Sequence, residues 1–68
     1  MQEIEIRDEV IRLGQLLKLA GAVGSGAEVK GLLQTGTVLV NGDVEERRGR
    51  QLRRGDVVSV DGDLLRIT

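Results

Sequence analysis

Hydrophobic and polar positions divide this chain into short, clearly punctuated segments. Ile4 and Ile6 alternate with Glu3, Glu5 and Arg7, which predicts a short half-buried strand, and Asp8 and Glu9 turn the chain after it. Leu13, Leu16, Leu17 and Ala20 then recur at helical spacing, and Gly21 stands just past their end. Gly14 lies within that pattern at a cost of about 1 kcal/mol relative to alanine, so the predicted helix is short. Ser25-Gly26-Ala27-Glu28 has the serine-to-glutamate spacing of a capping box. It predicts a second helix from Gly26 to Gln34, with Val29, Leu32 and Leu33 inward and Glu28, Lys30 and Gln34 outward. Gly36 ends it.

The remainder reads as a meander. Val38 and Val40 alternate with Thr37 and Leu39, and Asn41-Gly42 is a strong hairpin signal. The returning strand is expected over Asp43 to Glu46. Gly55-Asp56 makes another turn, followed by a hairpin in which Val58 and Val60 lead through Asp61-Gly62 to Leu65 and Ile67. The pattern gives one strand, two grouped helices and several short strands, which is an α+β domain. Sixty-eight residues suffice for one domain, expected over residues 1–68.

Composition removes several chemistries. The chain contains no cysteine and no histidine. Disulfides, thiolate metal sites and histidine acid–base catalysis are therefore excluded. No cofactor, metal site or small-molecule substrate is expected, and no nucleophile–base pair points to an enzyme. No run approaches the roughly 20 apolar residues that span a bilayer. Met1-Gln2-Glu3 does not resemble a signal peptide, so the cytoplasm is the expected location. Phe, Tyr and Trp are also absent, which argues against reading single strands by stacking bases on aromatic rings.

Charge changes the picture most. Arg47-Arg48-Gly49-Arg50-Gln51-Leu52-Arg53-Arg54 holds five arginines and no acid in eight residues. Removing this +5 from the formal net charge of −1 leaves −6 on the other 60 residues. Positive charge gathered in this way suggests a polyanion site, and guanidinium groups make forked hydrogen bonds to phosphate. Ser25, at a helix start, is a cap and a second place for a phosphate. The acids Glu3, Glu5, Asp8, Glu9, Asp61 and Asp63 cluster towards the two chain ends. They are expected to form a face opposite the basic one, which would orient the domain on its partner.

The order of motifs resembles a known family. Leu13-Gly14-Gln15-Leu16-Leu17-Lys18-Leu19-Ala20-Gly21 is followed by Ser25-Gly26-Ala27-Glu28-Val29-Lys30. Then come Gly36-Thr37-Val38-Leu39-Val40-Asn41-Gly42, the arginine stretch and Gly55-Asp56. The sequence from Ile11 to Ile67 is similar to the RNA-binding domain named after ribosomal small-subunit protein four, the alpha-L motif. It is closest to the small stand-alone bacterial members. The resemblance implies two helices on a small, strongly bent antiparallel or mixed sheet. It implies binding of structured ribosomal or transfer RNA. A lone domain this small is expected to act in ribosome assembly or RNA quality control, as a monomer. It places Lys18, Ser25, Lys30, Gln34, Arg47, Arg48 and Arg50 at or near the RNA, and Arg53 and Arg54 join them as basic neighbours. Many relatives carry arginine after the capping serine, where this chain has Gly26. A second function consistent with the charge is a protein-interaction adaptor whose arginine loop meets an acidic partner.

Overall fold

The computed structural model describes all residues from Met1 to Thr68. The elements in chain order are β1 (Gln2–Ile4), β2 (Val10–Arg12), α1 (Leu13–Leu19), α2 (Gly26–Gln34), β3 (Val38–Val40), β4 (Asp43–Val44), β5 (Gln51–Arg53), β6 (Val57–Val60) and β7 (Asp63–Ile67). Five strands form a mixed sheet in the order β1-β7-β6-β3-β4, with β1 parallel to β7 and the other neighbours antiparallel. The expected α+β architecture is present.

Local chemistry explains most boundaries. The Ser25 Oγ accepts from the Glu28 backbone N–H at 3.4 Å and so caps α2. The reciprocal bond lands one residue earlier than a capping box predicts, because Gly24 N–H donates to the Glu28 carboxylate at 2.9 Å. Asn41 and Gly42 have φ of 50° and 91°, and Asp61 and Gly62 have 48° and 86°. Paired left-handed residues match the right-handed twist of the flanking strands, so both hairpins turn tightly.

Several expectations required correction. The first strand ends at Ile4, and Ile6 is buried beyond it outside any strand. The returning strand covers only Asp43–Val44, since Glu45 turns inward and is buried. The chain also contains a pairing that short-range patterning did not predict. β2 and β5 form a separate antiparallel ribbon, with Val10 opposite Arg53, Ile11 opposite Leu52 and Arg12 opposite Gln51. Three of the eight residues of the arginine stretch, Gln51–Arg53, are therefore a strand. Alternation along the ribbon puts Leu52 in the core and Arg12, Gln51 and Arg53 on its outer side.

A single cluster of 15 buried residues joins these parts. Leu13, Leu16 and Leu17 from α1 meet Val29 and Leu33 from α2, Leu52 from the ribbon, and Val38, Val40, Val58, Leu65 and Ile67 from the sheet. Leu32, expected inside, is half-buried against this cluster. The arrangement fixes the basic stretch to the helices at one side of the domain.

Candidate nucleic-acid interface

Backbone bonding fixes the start of α1 to the basic loop. Leu13 N–H donates to the Arg50 carbonyl at 2.8 Å, and Gly14 N–H donates to the Arg48 carbonyl at 2.9 Å. These loop carbonyls satisfy N–H groups that a helix start leaves without intrahelical partners. Gly14 is buried where α1, α2 and the loop converge. A Cβ there would lie 3.4 Å from Val29 and 3.5 Å from the Arg48 carbonyl oxygen. The glycine thus gives these elements room to approach one another, which accounts for its place inside a helix.

The five clustered arginines fall into distinct environments. Glu45, only 6% exposed, forms the two ion pairs of the molecule. Its carboxylate accepts from Arg47 Nε at 3.1 Å, Arg47 Nη2 at 3.2 Å and Arg50 Nη1 at 2.9 Å. The Arg47 backbone N–H adds a bond at 3.1 Å. Hydrogen bonds from the Arg47 and Arg50 side chains, then from the Arg47 backbone, lower the Glu45 pKa from 4.5 to about 2. The same carboxylate raises the pKa of Arg47.

Arg54 has a structural connection. Its Nη2 donates to the Ile6 carbonyl at 2.8 Å and its Nε to the Thr68 carbonyl at 3.0 Å, which ties the chain's end to the segment after β1. Arg53 points outward from the ribbon. Its backbone N–H, and not its guanidinium, bonds Asp56, at 2.8 Å.

Arg48, like Arg53, has no carboxylate partner and no side-chain hydrogen bond, but it lies over the helices. Its Nη2 lies 3.4 Å from the position a Cβ would take on Gly26, so its guanidinium reaches the first residue of α2, beside Ser25. Arg48 and Lys18 line one depression, together with Arg12, Gly14, Gln15 and Gly49. A shallower depression is lined by Arg47, Gly49, Arg50 and Gln51. Lys30 and Gln34 are exposed on α2 and line neither.

Two contributors were missed in the sequence. Arg12 reads there as an isolated charge before a helix, and only the β2–β5 pairing sets it beside the loop. Glu45 reads as half of an acidic pair with Glu46. Its signal was the alternation through Val44, which sequence reading continued as strand.

The Glu45 cluster gives a pH prediction. A carboxylate whose folded pKa lies below its unfolded value stabilises fully above the unfolded value, and this contribution is lost as pH falls through the folded one. Glu45→Gln should therefore lower Tm near neutrality, and its deficit against wild type should shrink as pH falls from 4.5 towards 2. Thermal melts across that range check this. A deficit independent of pH would mean that the charge of Glu45 is not what holds the two arginines.

Comparison with known proteins agrees with this structure. The S4 domain family matches residues 4–68, from the last residue of β1 to the end of the chain. A probable ribosome maturation protein, RlbA, from Bacillus subtilis (strain 168) is 49% identical over 59 residues, which cover 87% of this chain and 83% of that protein. With nearly its whole length matched, this chain belongs to the S4 domain family.

Proposed function

We propose that this protein is a non-enzymatic binder of structured RNA, with ribosomal RNA the first choice, and that it acts in ribosome maturation. The observation that carries the reading is the joining of Lys18 on α1 and Arg48 on the loop at one depression without any acidic partner. Cations held by a folded scaffold and left without counter-charge attract phosphates, and they do so by position as well as charge. Membership of the S4 domain family and similarity to a protein named for ribosome maturation support the same conclusion.

In this mechanism Lys18 and Arg48 make the central phosphate contacts, and Lys30 and Gln34 extend the surface along α2. Arg47 is 77% exposed even while paired, so it presents part of its guanidinium to solvent, whereas Arg50 is 36% exposed. Both contribute through a loop held in shape by Glu45. Ser25 caps the helix over which Arg48 lies. Without aromatic side chains, recognition rests on the shape and backbone of folded RNA. Glu3 lies on β1, Asp61 in the turn before β7 and Asp63 on β7, and their charge repels RNA from those positions.

A competition experiment tests this reading. Labelled folded ribosomal RNA fragments should bind the full chain at low salt and be displaced by unlabelled folded RNA more readily than by matched duplex DNA. Transfer RNA as a third competitor ranks the two RNA classes. Failure of the chain to bind any folded RNA at low salt would overturn the proposal and direct attention to an acidic protein partner of the arginine loop.

A further inference from the structure

Three cations of this molecule share a single depression with no apolar residue in its lining: Arg12, Lys18 and Arg48. The space measures about 360 Å³, and Gly14, Gln15 and Gly49 complete it. None of the three cationic side chains has a carboxylate or a hydrogen-bond partner. This contrasts with Arg47, Arg50 and Arg54, whose guanidinium groups are all engaged.

The walls come from three elements that backbone bonds hold together. Arg12 is fixed by β2, where it pairs with Gln51 and its N–H donates to Gln15 Oε1 at 3.3 Å. Lys18 rides on α1. The carbonyl of Arg48 accepts from Gly14, so the loop cannot drift from the helix without breaking that bond. The first N–H groups of α1 are already taken by loop carbonyls, so the charge of the depression comes from its side chains. Holding three like charges together in the folded chain is unfavourable, and a bound anion relieves it. A lining without hydrophobic or aromatic side chains offers a base no ring to stack on and suits a phosphodiester.

We infer that this depression is the seat of one phosphate of the RNA backbone and that Arg12, on the ribbon, contacts that phosphate together with Lys18 and Arg48. The inference rests on the RNA-binding reading above and deepens it. Cations converging from a strand, a helix and a loop fix where the phosphate lies, and so set the register of the RNA on the domain. The interface thereby extends beyond the helices and the loop onto the ribbon's outer side, where Gln51 and Arg53 lie beside Arg12.

The test combines two measurements on the full chain. In the first, binding to a folded ribosomal RNA fragment is followed across a salt series for wild type, Arg12→Ala, Arg12→Lys and Arg66→Ala. Arg12→Ala should weaken binding about 5–20-fold and make the log–log salt slope shallower by about 1, while Arg12→Lys keeps most of the slope. Arg66, exposed on the β7 strand, is the control and should leave both unchanged. If RNA binds and Arg12→Ala matches wild type, the seat is overturned although RNA binding stands. Arg12 is exposed, and circular dichroism verifies that each variant is folded.

In the second measurement inorganic phosphate is titrated while the Gly14 and Gly49 amide signals are observed by NMR. This decides the matter if wild type binds no RNA, when the RNA reading itself has failed. Saturable shifts at these two glycines, abolished by Arg12→Ala, then uphold an anion seat. Their absence removes it.

Discussion

Leu52→Ala should remove about 2–5 kcal/mol of stability, the usual range for a fully buried leucine. Leu52 is 0% exposed although it stands within a run of five arginines. A domain of this length has only about 3–10 kcal/mol in total, so the substitution takes much of the available margin. The expected drop in Tm is roughly 10–30 °C, read by circular dichroism. The reason is topological. Leu52 is the one core residue of the arginine stretch, and it holds the β2–β5 ribbon against the shared core. A drop of less than about 5 °C, corresponding to about 1 kcal/mol, would mean that the ribbon is not packed as described.

The second large effect concerns binding. Lys18→Glu/Arg48→Glu should reduce affinity for folded RNA by on the order of 100-fold at fixed salt and make the log–log salt slope shallower by about 2. Both side chains are exposed and have no partner, so their reversal should leave Tm close to wild type. Arg47→Glu/Arg50→Glu should behave differently. It places two further carboxylates beside buried Glu45 and removes that residue's counter-charges, so Tm falls as well as affinity. Comparing melts and binding for the two double variants separates cations that hold the loop from cations left for the ligand. Equal losses of stability in both would contradict that division.

The parts legible in the sequence are those with local causes. Ser25 caps α2 because its hydroxyl lies three residues from an N–H that needs an acceptor. The hairpins at Asn41-Gly42 and Asp61-Gly62 follow from residues that tolerate positive φ. Helical spacing of Leu13, Leu16 and Leu17 set out the α1 core face, and the resemblance carried by these motifs led to the family that matches the chain.

The parts that were not legible depend on distant partners. Val10–Arg12 is too short for a period to declare itself, and its partner Gln51–Arg53 lies about 40 residues later. The arginine stretch is uniform as text, yet one arginine caps distant carbonyls, two share a buried carboxylate, and the Arg48 and Arg53 guanidinium groups remain without a partner. Side-chain partners of this kind are set by tertiary packing, and neither composition nor spacing encodes them. Arg12 belongs to the same class, since its proximity to Lys18 and Arg48 exists only once the ribbon forms.

The central claim is that cations positioned by the fold dock this domain on structured RNA, and the salt dependence of wild-type binding tests it most directly. Affinity for a folded ribosomal RNA fragment should fall steeply as salt rises, with a log–log slope of roughly −3 to −5, as expected for about 4 to 5 phosphate contacts. A slope shallower than about −1 would contradict the account, because fewer than two phosphates would then be neutralised.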